Sequence, residues 1–141
     1  SHILFWPGTN VPGTNDNLWT ILRVDKSGSF GPEITFAHDI ETALPQESIA
    51  IIKYASGGTG IARSTDYTDY IPAVAGFNDK GRNWHPPTDG KEAGSLYRAL
   101  IANVHNATSE LSREGKSWSL SGFIWMQGEH EAEIRVFQPQ S

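Results

Sequence analysis

The amino-acid sequence predicts an α/β layer architecture with a mainly parallel sheet. Two apolar, β-rich runs, 49–55 and 120–126, are each preceded by a stretch of 3.6-residue periodicity, 33–44 and 95–111. Both runs end abruptly in polar, glycine-rich sequence: Gly57-Gly58-Thr59 after the first and Gln127-Gly128-Glu129 after the second. In open parallel sheets, ligands bind beyond the carboxyl ends of the strands, so two such endings mark one candidate edge.

Taken in order, Ile3 to Trp6 reads as a short strand closed by Pro7-Gly8. Residues 18–24, LWTILRV, form a second strand candidate without cleanly divided faces. The loop KSGSFGPE then delivers Pro32 to the first turn of a helix, where a missing N–H costs nothing. That helix is predicted from about Glu33 to Leu44, with Ile34, Ala37, Ile40 and Leu44 on one stripe and Pro45 as its stop. SIAIIKYA, 48–55, reads as a central strand buried on both faces. Residues 61–94 form a long irregular connection containing Trp84, and connections of that length in compact domains are usually functional or disordered. From Ser95 a second helix is predicted, with Leu96, Leu100, Val104, Ala107 and Leu111 on its stripe and Gly115 as its C-cap. LSGFIWM, 120–126, is the last strand, and the tail after it has no clear partner.

The composition narrows the function classes. The 141 residues carry a formal charge of −5 and no run of Lys or Arg, so a nucleic-acid partner is not expected. No apolar stretch reaches the length of a membrane span, and no membrane partner is expected. No signal peptide is visible, and the compartment stays open. The absence of Cys removes disulfides and thiolate zinc sites. Hydrophobic residues make up 38%, a share that five Trp and six Phe supplement because each aromatic buries a large area.

Each local motif admits a functional and a plain reading. Gly57-Gly58 can cradle an anion with backbone N–H groups, or simply allow a turn. Gln127 can donate its amide to a developing oxyanion, or cap a neighbouring loop. Glu129 is a site acid or an exposed turn acid, with Gly128 leaving room beside it. Trp84 can stack on a sugar ring or plug its loop to the core. His130 among Glu129, Glu131 and Glu133 reads as a solvated charge run, so no metal site and no cofactor are expected. His38 and His105 lie in the helices and read as packing or surface residues. A Gly-x-Ser-x-Gly elbow is absent, and the residues three before His38, His85, His105 and His130 are Thr35, Arg82, Ala102 and Gln127.

The ordered set FGPEITFAHDI (30–40), IAIIKYASGGTGI (49–61), Trp84, GSLYRALIANVHNATSELSREG (94–115) and LSGFIWMQGEHEA (120–132) resembles one enzyme group. These are the sialate O-acetylesterase-like and acetylxylan-esterase-like carbohydrate esterases, a branch of the SGNH hydrolases. The resemblance spans roughly residues 3 to 132. It implies a flavodoxin-like, three-layer α/β/α fold and removal of acetyl groups from sugars. It further implies an oxyanion N–H from Gly57 or Gly58, an oxyanion amide from Gln127, and Glu129 lining the site. Thr59, Trp84 and Gly128 fall on its substrate side. The family's Gly-Gln-Ser-Asn block and Asp-x-x-His block are both missing, and His130-Glu131 stands where the family carries Ser-Asp. The expectation is a single partial SGNH-type domain over 1–141, inactive alone, with a non-catalytic acetyl-sugar-binding or self-assembling module as the alternative. Ser1 is not expected to act as the nucleophile, because the HILFWPGTN that follows resembles a family segment well after that serine.

In the resembled fold, the strand before the nucleophile lies between the two strands kept here, and its absence exposes backbone and apolar faces. A homo-oligomer or rearranged pairing is therefore expected. Static light scattering should report a mass above that of one chain, and a clean monomer counts against the association.

Overall fold

A computed structural model of the chain describes residues 3–8, 18–24, 31–57, 59–61, 83–88 and 93–128. Its elements run β1 (Leu4–Trp6), β2 (Thr20–Ile21), α1 (Pro32–Ala43), β3 (Ala50–Ile52) and α2 (Ser95–Arg113). The chain divides into two compact units, one formed by Ser1–Ala55 with Asn103–Ser117 and the other by Ser56–Ala102 with Trp118–Ser141.

The first unit holds a three-stranded sheet in the order β2-β1-β3. β1 pairs parallel with β3, Leu4 opposite Ala50 and Trp6 opposite Ile52, and antiparallel with β2, Leu4 opposite Ile21. The sheet of the described residues is thus mixed, which corrects the expectation of a mainly parallel one. The parallel register continues past the strands, because Lys53 N–H donates to Trp6 and Ala55 N–H to Gly8. The predicted central strand at 48–55 is corrected as well. Among the described strands, β1 takes the centre and β3 lies at the edge, with Ile51 and Ile52 only half-buried.

Helix α1 starts with Pro32 in its first turn, as its position after the glycine loop predicted. Ala37 is its buried residue, flanked by the half-buried Ile34 and Ile40, while Leu44 at the end of the stripe is exposed. Lys53 Nζ reaches both Glu33 carboxylate oxygens, at 2.8 and 2.9 Å, joining the chain just after β3 to the first turn of α1.

Helix α2 follows its predicted stripe, with Leu96, Leu100, Ala107 and Leu111 all buried. It ends in a Schellman motif: Lys116 N–H donates to Leu111 O and Gly115 N–H to Ser112 O. Gly115 sits at φ 73°, a left-handed conformation that costs a residue with a Cβ about 1–2 kcal/mol. In the last turn, Arg113 donates to Glu110, and that hydrogen bond holds the carboxyl below its ordinary range and the guanidinium above its own.

Within the first unit, α2 is joined to the sheet by one buried amide. Asn103 Oδ1 accepts from Trp6 Nε1 at 3.0 Å, and its Nδ2 donates to Lys53 O at 3.3 Å. Gly8 makes room for it, since a Cβ there would fall 2.6 Å from Asn103 Nδ2 and 2.7 Å from Lys53 O. Trp6 meets Trp19 edge to face at 5.4 Å, and Trp19 Nε1 donates to Ala107 O at 3.0 Å.

The last predicted strand, 120–126, does not form. Residues 118–128 have no strand assignment, and Leu120, Phe123, Ile124 and Met126 are exposed. A β-rich sequence becomes a strand only beside a neighbour that takes its N–H and C=O groups, and none of the described strands pairs with it.

Asn103→Ala is expected to lower stability by about 1–3 kcal/mol, the cost of leaving the buried Trp6 N–H without its acceptor. Urea unfolding checks this, and an unchanged midpoint would show that Trp6 finds another partner.

Candidate functional site

All the described residues of the candidate site lie in the second unit. The turn after β3 is closed by Thr59, whose hydroxyl donates to Ser56 O at 2.8 Å. Thr59 is buried, which is rare for a threonine unless its hydroxyl is satisfied. The same oxygen accepts from Trp84 Nε1 at 2.9 Å. A hydroxyl has one proton to give and lone pairs to receive with, so these two bonds use Thr59 Oγ1 in both directions.

Trp84 is placed by backbone pairing on both sides of it. Its N–H donates to Gly60 O at 3.0 Å, His85 N–H donates to Asn83 Oδ1 at 3.1 Å, and Gly94 N–H to His85 O at 2.9 Å. Asn83 O accepts from Leu96 N–H, one of the first N–H groups of α2. Gly94 is required by this approach, since a Cβ there would collide with the Asn83 side chain and carbonyl. With 5% of its surface exposed, Trp84 offers almost no ring face to a ligand, and its contacts are those of a plug.

The run after α2 returns to the same place. Trp125 meets Trp84 edge to face, centroids 5.5 Å apart and planes at 87°. Gln127 Nε2 donates to the carbonyl of Thr59. The amide nitrogen carries two protons, so one N–H remains to point elsewhere. The two sequence motifs are thus in direct contact, through Gln127 and Thr59. Gly128, at φ 133°, adopts a conformation that L side chains rarely take, and this accounts for the glycine after Gln127.

Gly57 is exposed, and a Cβ on it would meet no atom within 4 Å. Neither packing nor a left-handed φ demands a glycine at this position. Gly58 and Glu129, the other two residues predicted to rim the site, lie outside the described residues, as do His130 and the acids around it. Among the described residues, no group of His, Asp and Glu could hold a metal ion, and no helix is long and apolar enough to cross a membrane.

Asn83 and Trp125 take part in this arrangement without having been singled out by the sequence. Asn83 sits in an irregular loop where nothing periodic points to it. Trp125 was counted as strand core, and only its contact with Trp84 shows that it belongs with Gln127.

Fold and site together define a small α/β protein in which the side-chain amide of Gln127 is fixed on the carbonyl of Thr59. The model of the carbohydrate esterase, sialic acid-specific acetylesterase family matches residues 6–138, and the chain belongs to that family. No curated protein and no solved structure matches it.

Thr59→Val keeps the shape and removes the hydroxyl, leaving the buried Trp84 indole N–H without an acceptor. A loss of about 1–3 kcal/mol is expected, with Thr59→Ser close to the parent. Thermal melting with near-ultraviolet circular dichroism checks this, and equal behaviour of the valine and serine variants would refute it.

Proposed function

We propose that this chain is a carbohydrate O-acetylesterase-type domain that carries the oxyanion corner of the site and, by itself, binds acetyl esters without turning them over. The observation that carries this is the hydrogen bond from Gln127 Nε2 to Thr59 O. It joins the two segments that supply oxyanion donors in the resembled enzymes, and it leaves one amide N–H for an ester carbonyl.

In this reading, the tetrahedral oxygen formed on attack at an acetyl carbon is held by the second N–H of Gln127 and by the backbone N–H of Gly57 or Gly58. Such donors act because they are fixed before the charge appears. Thr59 locks the turn, and Trp84 locks Thr59. The open space around Gly57 supports the reading, because a side chain there would crowd an approaching carbonyl. Glu129 lines the site beside Gly128. A three-layer frame of the SGNH type accords with an α/β unit containing one parallel strand pair. The family match over residues 6–138 supports the ester chemistry, and acetylated sugar is the substrate class it favours.

The proposal that the chain does not turn over rests on its own residues. No Gly-x-Ser-x-Gly, Gly-Gln-Ser-Asn or Asp-x-x-His occurs in the 141, so no serine is paired with a base by a recognisable motif. A second reading, self-assembly, is favoured by the exposed run Leu120 to Met126. Pairing of that run with a second copy would satisfy its backbone and cover its side chains.

Hydrolysis of p-nitrophenyl acetate by the chain and by Gln127→Ala tests the proposal. Equal, weak rates are expected, from the background reactivity of exposed His. A fall of about 100-fold or more in the variant, the scale of losing one oxyanion donor, would overturn the proposed inactivity and reveal a working nucleophile.

A further inference from the structure

Beside Gln127 the structure carries a pair of aromatic rings that the oxyanion corner does not use. Phe123 and Trp125 lie with centroids 5.8 Å apart and planes inclined by 38°. Both keep contact with solvent, Phe123 at 67% and Trp125 at 39% exposure. Trp125 is held in place by its edge contact with the buried Trp84, whose indole N–H is fixed on Thr59. Thr59 in turn receives Gln127 through its carbonyl. Side chains 125 and 127 therefore reach one and the same Trp84–Thr59 pair, and Phe123 extends that side by one ring.

We propose that Trp125 and Phe123 form a stacking platform for the pyranose ring of an acetylated sugar, next to the oxyanion corner formed around Gln127. The proposal rests on the reading of that corner as the acetyl site, and it adds the place where the sugar itself lies. Three features support it. A sugar ring presents a flat face of C–H bonds, and tilted aromatic rings are the surface such a face packs on. Trp125 costs little to order, because Trp84 already holds it. Two residues of chain span at most about 7 Å, so an ester on a ring seated at Trp125 lies within reach of the Gln127 amide.

Charge decides which sugar the platform takes. No Lys, Arg, Asp or Glu occurs from 117 to 128, so the segment that carries the two rings brings no charge of its own to a sugar carboxylate. Recognition is by ring stacking, and a neutral pyranose is the class that fits. The buried Trp84 then supports both Trp125 and Thr59 and does not itself stack on the sugar.

The experiment is a titration of the whole chain, labelled with ¹⁵N, following the tryptophan indole N–H signals by NMR, with Trp125→Phe assigning the Trp125 signal. The probes are methyl β-glucoside and the same glucoside carrying one O-acetyl group. Both are expected to shift the Trp125 signal saturably, with the acetylated probe tighter. Trp125→Ala and Phe123→Ala should each weaken both probes by about tenfold, the scale of losing one stacking ring, whereas Trp125→Phe retains most of the affinity. Phe123→Ala keeps the test sound should Trp125→Ala fail to fold, because Phe123 is largely exposed.

Gln127→Ala separates the two readings. If it abolishes the preference for the acetylated probe while the ring variants change nothing, the platform falls and the oxyanion corner stands. If the ring variants weaken both probes and Gln127→Ala leaves the preference intact, the platform stands and the corner falls. No saturable shift of the Trp125 signal overturns the platform. So does sedimentation showing that the chain pairs with itself through 120–126 and excludes both probes.

Discussion

Thr59 is the constraint on which the candidate site depends. One buried hydroxyl closes the turn after β3 on Ser56 and holds the indole of Trp84, and the carbonyl of the same residue takes the Gln127 amide. A glycine turn has no stiffness of its own, because glycine surrenders more conformational freedom than any other residue when it is fixed. The stiffness here is supplied by the threonine after it. In the proposed function, a rim of oxyanion donors is useful only when it stands in place before reaction, so Thr59, which does not touch the substrate, would decide whether the donors can work.

Asn103 does the corresponding work in the first unit. A side-chain amide has a donor and an acceptor at fixed separation, and here both are used, on Lys53 O and on Trp6 Nε1. Burying such a group is costly without partners, so the geometry around it is narrow. Gly8 is part of that narrowness: the backbone at position 8 comes too close to Asn103 and Lys53 to carry a side chain. The apolar stripe of α2 supplies burial, and Asn103 within it specifies where along the helix the sheet attaches.

The aromatic residues divide by what their polar handle does. Trp6, Trp19 and Trp84 are each anchored through the indole N–H, on Asn103, Ala107 and Thr59 respectively. Trp125 is held by the face of its neighbour, and Phe123 has no polar handle at all. Phe123 and Trp125 both reach solvent, in the run that leads to Gln127. In the proposed platform these two rings are the ones offered to a ligand, whereas the three anchored indoles organise the fold.

Both helices were legible in the sequence to within a residue or two, because a 3.6-residue stripe with Pro32 before it or Gly115 after it is a local signal. The two polar, glycine-rich stops stood out for a similar reason, since such a stop after an apolar run is unusual in itself, and the structure brings them into contact through Gln127 and Thr59. The order and direction of the strands were not. The run 48–55 reads as a central strand on its own residues, yet among the described strands β3 lies at the edge because β1 occupies the middle. Leu120 to Met126 reads as a strand and is none, because pairing belongs to two segments and only one of them is written there. The sequence alone determined the two helices and the family to which the chain belongs. Tertiary structure alone decided that Gln127 meets Thr59 and that Trp84 turns inward while Trp125 faces out, because such contacts join residues tens of positions apart.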